Sequence, residues 1–306
     1  MRVLVISNPR ATTTTSRQRD VVVRALASTA SLQVAETANR GHAAALACRA
    51  MRDGVDIVVA LGGDGTVNEV VNGLLTDGVH AQVPALGVVP GGSTNVFARA
   101  IGLPNDPVEA TSMMINAITC GRRRQINLGK ADDRWFVFAA GVGLDAAVVR
   151  AVEGHRRRGK RSTHALYVRT ALWEYLKTDH HRAAITIRPD DLKERSGVFL
   201  AIITNCSPWT FLGNHPLTPT PRANFEDGLD VYYRTRIGLP SMMIGLSRVL
   251  RSRTKPEEFG AQSLHDLTSI KLRSDRAMPF QLDGEALGSR NEINFASVRN
   301  ALSVLV

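Results

Sequence analysis

The stretch "VDIVVALGGDGTVNEVVNGLL", residues 55–75, changes its hydrophobic period halfway along. Val55, Ile57, Val58, Val59 and Leu61 form a short, almost unbroken apolar run, the pattern of a strand buried on both faces. Val67, Val70, Val71 and Leu74 then recur at i, i+3, i+4 and i+7, one face of a helix. Gly62, Gly63, Asp64, Gly65 and Thr66 therefore fall on a strand-to-helix turn. Such a turn leaves the first helical N–H groups without partners, and glycine lets an anion come close to them.

The same rhythm extends on both sides. "RVLVIS" and "LQVAET" read as strands, "RQRDVVVRALAS" and "GHAAALACRAMRD" as helices, and "PALGVVPGG" is a second apolar run ending in glycines. It feeds "STNVFARAIG", a helix for which Ser93 or Thr94 is the expected N-cap. Alternating strands and helices predict a parallel sheet that binds ligands at the carboxyl ends of its strands. Two glycine turns at neighbouring strand ends, with hydroxyls at Thr66, Ser93 and Thr94, favour a nucleotide-phosphate cradle over two plain tight turns. Asp64 would repel phosphate unless a divalent cation lies between them, as in Mg²⁺-nucleotide sites; its other reading is a structural Asx turn.

After "CGRRRQINLG" the chain becomes strand-rich, with "RWFVFAAG", "AAITIRP", "GVFLAIITN", "GLDVYYRTR", "SIKLRS" and "MPFQLDGE". Two helices are expected there, "THALYVRTALWEYLK" and "PSMMIGLSRVLRSR", each with an apolar and a basic face. No G-x-x-x-x-G-K-[ST] motif occurs, so this is not a P-loop protein. "GVGLDA" formally fits a dinucleotide fingerprint but sits in the strand-rich half, where chance explains it better.

The 306 residues are 44% hydrophobic and 5% aromatic, the composition of an ordinary folded protein large enough for two domains. A formal net charge of +10 calls for an anionic partner. Cys48, Cys120 and Cys206 are odd in number and widely spaced, which argues against a disulfide framework or a zinc site and fits a reducing cytosol. No apolar run approaches the length of a membrane span, so membrane contact is expected to be peripheral. Five positive residues between Arg156 and Arg161, and Arg248, Arg251, Arg253 and Lys255, form two basic clusters suited to an anionic leaflet, although the sequence shows no wedge of exposed aromatics. Nucleic acid is not expected as a partner, for want of a binding motif and of stacking aromatics. The eight histidines, His180 and His181 among them, lack metal spacing. Met242, Met243, Trp173 and Trp209 read as core packing ahead of an acyl pocket.

"GGDGTVNEVVNGL", "PGGSTNVFARAIGLP", "AAGVGLDAAVV", "FEDGLDV" and "LDGE", in that order, resemble the diacylglycerol kinase catalytic-domain family of bacterial lipid kinases, relatives of sphingosine and ceramide kinases. The resemblance spans nearly the whole chain. It implies an amino-terminal α/β domain of the NAD-kinase/phosphofructokinase-like type over residues 1–128, rejoined by the terminal strand at about 297–306, and a carboxy-terminal lipid-binding β-sandwich over 129–296. The implied activity is ATP- and Mg²⁺-dependent phosphorylation of a lipid hydroxyl, diacylglycerol foremost. The implied setting is the cytoplasm, at the inner face of an anionic membrane, with a homo-oligomer as an option. An NAD kinase-like enzyme and a catalytically weak nucleotide- or lipid-binding regulator are the alternatives.

By the same resemblance, ATP contacts fall to Asn8, Pro9, Arg10, Ala11, Thr12 and Thr37, to Gly62, Gly63, Asp64, Gly65, Thr66, Val67 and Asn68, and to Gly92 and Ser93. Asp283 is the implied catalytic base with Glu285 second, and Asp64 helps place the metal. The Asp227 side chain with the carbonyls of Asn224 and Leu229 corresponds to a structural Mg²⁺ site; an Asp-Gly turn is the alternative. Two positions depart from the family: Val96 and Asn127 stand where many relatives carry aspartates of the catalytic magnesium network. This implies either that Mg²⁺ is organised differently here, through Asp64, which is the favoured reading, or that activity is low.

Overall fold

The structure, a computed structural model, describes residues 1–9, 15–157, 164–179, 182–190, 192–238 and 260–306. Arg10, Ala11 and Thr12, the basic residues from Arg158 to Arg161, His180, His181, and the expected helix with Met242, Met243, Arg248, Arg251 and Arg253, together with Lys255, lie outside the described residues. The chain divides into two compact units, Met1–Leu128 with Arg299–Val306, and Gly129–Val298. The class is the expected one, α/β followed by a strand-rich part.

The first unit alternates β1 (Arg2–Ser7), α1 (Ser16–Ala27), β2 (Ser31–Glu36), α2 (His42–Arg52), β3 (Ile57–Gly62), α3 (Asp64–Leu74), β4 (Ala85–Pro90), α4 (Val96–Ala100) and α5 (Pro107–Thr119). Parallel pairing gives the order β2-β1-β3-β4, with Val3 opposite Ile57 and Ile57 opposite Ala85. Beyond β4 lies the end of β16 (Glu285–Val304), where Val304 pairs with Leu86. Every residue of β3 and β4 is buried, which is why neither strand shows polar alternation. Val5, Val22, Leu26, Ile57, Val59 and Met114 belong to the core between sheet and helices.

Helix ends follow local chemistry. Thr15 and Gln18 form a reciprocal capping box on α1, and Asp106 accepts the N–H groups of Val108 and Glu109 ahead of Pro107 on α5. Helix α3 packs so tightly on α2 that a methyl group on Gly73 would collide with the Ala44 carbonyl.

The second unit contains the end of β5 (Arg124–Ala131), then β6 (Arg134–Phe136), β7 (Ala139–Gly143), α6 (Leu144–Arg157), α7 (His164–Lys177), β8 (Ile185–Pro189), β9 (Arg195–Val198), β10 (Leu200–Thr204), β11 (Thr210–Leu212), β12 (His215–Leu217), β13 (Leu229–Arg234), β14 (Ala261–Leu267), β15 (Ser269–Leu282) and most of β16. Its antiparallel sheet runs β14-β13-β10-β7-β15-β16. Phe295 meets Phe136 and Phe280 edge-on, with ring centres 6.2 and 6.3 Å apart, within a core that includes Val142, Ile187, Ile203 and Val231. "SIKLRS" and "MPFQL" prove to be one strand, β15, broken in register between Arg273 and Met278. That bulge hides the continuity from any period-2 reading.

Gly73→Ala is expected to lower unfolding stability by roughly 1–3 kcal/mol, because backbone rather than a flexible side chain must give way; urea denaturation checks it. Gly65→Ala, where an added methyl group meets nothing within 4 Å, is expected to leave stability equal or slightly raised.

Candidate active site

The carboxyl ends of β1, β3 and β4 converge at the two glycine turns. Gly91 donates its N–H to the Gly62 carbonyl at 2.8 Å, continuing the β3–β4 ladder into the turns. A Cβ on Gly92 would lie 2.7 Å from Gly63 Cα, so the turns touch backbone to backbone and only glycine fits. At Gly62 a Cβ would lie 2.6 Å from Thr66 Oγ1. Asn8, just after β1, donates its N–H to the Leu61 carbonyl (3.1 Å) and its side-chain amide to Thr66 Oγ1 (3.3 Å), tying the first strand end to α3. Pro9 is exposed beside it, and Thr37 follows β2 with its N–H on the Ser7 carbonyl at 2.9 Å. Ser7 Oγ, buried at the end of β1, has no hydrogen-bond partner among the described residues.

Within the turns, Gly65 and Ser93 are exposed and Gly63 and Asp64 half-buried, so this backbone is open to an anion. Val67 and Asn68 are not: both are buried on the inner face of α3, where Asn68 Oδ1 accepts from Asn72.

Asp64 and Asn95 do what was expected of Ser93 or Thr94. The N-cap of α4 is Asn95, with φ 50° and no side-chain cap bond. Its amide group instead grips Gly92, accepting the N–H at 2.8 Å and donating to the carbonyl at 2.7 Å. The start of α4 is capped from the neighbouring turn, where Asp64 Oδ1 accepts the Phe97 N–H at 3.1 Å. Burial raises the Asp64 carboxyl above the usual range, opposed by the N–H groups of Val96, Phe97 and Asn95 and by the charge of Arg99. Val96 itself is buried, and Asn127 Oδ1 accepts the Asn300 N–H at 2.9 Å. Both family departures thus have structural work in this chain.

In the second unit, "LDGE" is a two-residue hairpin between β15 and β16. Leu282 pairs with Glu285, and Asp283 and Gly284 both have positive φ, 47° and 77°, as a type I′ turn requires. The Asp283 carboxylate is buried and accepts three backbone N–H groups, Val137 on Oδ2 (2.7 Å), Phe138 and Ala139 on Oδ1 (3.0 Å each). Glu285 holds Arg134 Nη2 at 2.6 Å.

Two residues that sequence reasoning missed adjoin this turn. Gln281, buried, accepts the Gly284 N–H on Oε1 at 2.9 Å and donates from Nε2 to Asp145 Oδ2 at 2.9 Å. Asp145 sits against Gly141, where a Cβ would collide with its carboxylate, and burial pushes its carboxyl up to about 6 against the lowering effect of Gln281. Their signal was the "GVGLDA" glycines, which make room for a carboxylate rather than a dinucleotide. Gly143 has φ 86°, and a Cβ there would crowd the Phe199 carbonyl at 2.6 Å.

The segment implied as a structural-metal set closes a turn in this structure. Asn224 Nδ2 donates to Asp227 Oδ2 at 2.6 Å, while its Oδ1 accepts the N–H groups of Glu226 (2.8 Å) and Asp227 (3.0 Å), closing an Asx turn. His265 Nε2 stands 3.8 Å from the same Asp227 oxygen, and its Nδ1 stands 2.6 Å from Asp230 Oδ1. Leu229 simply opens β13 opposite Leu267. Among the described residues no three His, Cys, Asp or Glu side chains cluster as a metal site.

Parallel strands whose carboxyl ends carry two touching glycine turns mark the first unit as an α/β domain. Residues 2–131 match the sequence model of the diacylglycerol kinase catalytic domain. Diacylglycerol kinases of Staphylococcus aureus strains JH9 and Newman are 40% identical over 103 residues, which are 34% of this chain and 30% of each of those proteins. The match thus spans less than a third of the curated relatives. A Bacillus anthracis str. Sterne structure described as a diacylglycerol kinase superposes with a TM-score of 0.74 at 19% identity, covering 99% of this chain and 96% of that one. A second structure from that organism gives 0.78 at 20% identity with the same coverage. These likenesses establish a shared fold.

Asp283→Asn replaces an acceptor by an amide that cannot serve all three N–H groups, so a loss of about 1–3 kcal/mol in stability is expected in chemical denaturation. For Asp145, a folded-state value near 6 means that the native state holds its proton longer than the unfolded chain. Stability from this group is therefore lost as pH rises from about 4 to about 6. Asp145→Asn is expected to melt higher than the parent at pH 7 but not at pH 4, in calorimetry across that range.

Proposed function

We propose that this protein is an ATP-dependent lipid kinase that transfers the γ-phosphoryl group to a lipid hydroxyl, diacylglycerol first, to give phosphatidate. The observation that carries the reading is the match of residues 2–131 to the diacylglycerol kinase catalytic domain, because both glycine turns fall inside it. The open backbone at Gly63, Gly65, Gly92 and Ser93, with Asn8 and Thr66, binds the polyphosphate and aligns it for in-line transfer. Thr37 and Pro9 belong to the same rim of strand ends.

The fit for Mg²⁺ rests on the donor set: the half-buried carboxylate of Asp64, a hard oxygen ligand beside an anion cradle, would hold the ion. When bound, the ion draws charge from the phosphates. Asp64 also fixes the second turn through the start of α4, so one carboxylate sets both the ligand and the geometry of its cradle. The acceptor hydroxyl loses its proton to the Asp283-Gly284-Glu285 turn as its oxygen bonds phosphorus and the bond to the ADP oxygen breaks. Asp283 is the proposed base, with its carboxylate held in one orientation by three N–H groups; Glu285, neutralised by Arg134, is the second candidate. The burial of Val96 and the engagement of Asn127 also support a second reading, a regulator that binds nucleotide with little turnover.

The test is transfer from γ-labelled ATP, with Mg²⁺, to micellar diacylglycerol, monoacylglycerol, ceramide and sphingosine, with NAD as a soluble control. A labelled lipid is expected. ATP binding without any labelled product favours the regulator, and labelled NAD would replace the lipid reading. Asp64→Asn keeps an acceptor for the Phe97 N–H, so it is expected to fold normally and lose turnover by at least about a hundredfold; normal turnover would remove Asp64 from the chemistry. Glu285→Gln, read as kcat at saturating ATP, assigns the base: a small effect leaves it with Asp283, and a loss of about a hundredfold or more moves it to Glu285.

A further inference from the structure

Helix α7 presents a face that is exposed among the described residues. Its inner side is built on Leu166, Thr170 and Tyr175, all buried. On the outer side, Arg169, Leu172, Trp173, Leu176 and Lys177 recur at i, i+3, i+4, i+7 and i+8, one continuous stripe. All five are exposed. Leu172, Trp173 and Leu176 are respectively 53%, 59% and 57% accessible, the three highest values among the exposed large hydrophobic residues of the described chain. Apolar residues scattered singly over a surface need no explanation, but three on adjacent positions of one helix face do. Trp173, expected in the core, is the most exposed of them; Trp209 does pack against a core cluster.

We propose that this stripe of α7 is the surface by which the protein seats on an anionic lipid bilayer, with Leu172, Trp173 and Leu176 entering the interface and Arg169 and Lys177 meeting headgroups. The charge pattern chooses this occupant. The stripe begins and ends on cations, and the helix's one acidic residue, Glu174, lies off it, 14% exposed and paired with Lys177 at 3.1 Å. Lys177 Nζ also stands 5.3 Å from the Trp173 ring centre, so the aromatic body and a cation share one spot. Trp and Leu flanked by Arg and Lys is the composition of a helix lying in the headgroup plane, and Trp prefers that depth. The net charge of +10, and five positive residues between Arg156 and Arg161 just ahead of α7 in the sequence, act in the same direction. None of the described helices is long and apolar enough to cross a membrane, so contact through such a helix is made from one side.

The inference rests on the lipid-kinase reading for its purpose, and its test is independent of that reading. The full chain, without ATP or lipid substrate, is sedimented with phosphatidylglycerol/phosphatidylcholine vesicles and with phosphatidylcholine vesicles alone. Partition onto the anionic vesicles and a blue shift of tryptophan emission are expected. Trp173→Phe should abolish the shift while retaining partition. The triple variant Leu172→Ala/Trp173→Ala/Leu176→Ala should partition at least about tenfold more weakly with an unchanged melting temperature, since all three side chains are exposed. Its phosphorylation of a water-soluble short-chain diacylglycerol without vesicles should match the parent's. If the parent does not partition, or the triple variant partitions as well as the parent, the proposal is overturned. It is equally overturned if the triple variant only dissolves a dimer, which would give the face to a second copy of the chain. A kinase active on the soluble lipid but indifferent to vesicles refutes this inference alone. Vesicle binding without any phosphorylation refutes the kinase reading alone.

Discussion

The site in the first unit depends on one close approach, the backbone contact between Gly63 and Gly92. Two strand-to-helix turns can share an anion only if nothing stands between them, and any side chain at either position would wedge them apart. Asn95 holds the Gly92 peptide from one side, and Asp64 reaches across to the start of α4 from the other. The carboxylate at Asp64 thereby replaces the cap that the short α4 lacks in its own sequence. Burial works against its charge, and the N–H groups of the helix start and Arg99 offset part of that cost.

The second unit solves a related problem in the opposite sense. There the aspartate in "LDGE" does not reach out from its turn; it turns inward onto the N–H groups of Val137, Phe138 and Ala139. The hairpin is thereby clamped to the segment leading into β7, and Gln281 carries the clamp on to Asp145 at the start of α6. Three polar residues, Asp283, Gln281 and Asp145, fix a turn whose neighbours are otherwise strands of a hydrophobic core. The three N–H groups hold the Asp283 carboxylate in one orientation, and any change at that carboxylate must weaken them.

How much of this was readable in the sequence follows from the periodicity. β3 and α3 were unmistakable, since an all-buried strand and a helical face of valines adjoin at the glycines. β14 and β16 were not: β16 alternates buried Ile293 and Phe295 with Arg290, Glu292 and Asn294, and its polar face disguised a twenty-residue strand. The glycine turns showed where a ligand might approach, but not that Asp64 would cap the next helix, because that contact joins residues 33 positions apart. For the same reason the sequence does not show that His265 stands beside Asp227, 38 positions earlier. Trp173 looked like core because apolar residues usually are; only the packing of α7 shows which of its faces is used.

Strand β16 runs through both units, and its last residues, paired with Leu86 on β4, complete the first unit's sheet. On the ribosome those residues emerge only after the whole second unit has been made. Until then β4 presents an unpaired edge, and the core around Met114 lacks Leu305. The amino-terminal half of this chain, the part that reads most clearly from its sequence, is thus the part that must wait longest to finish folding.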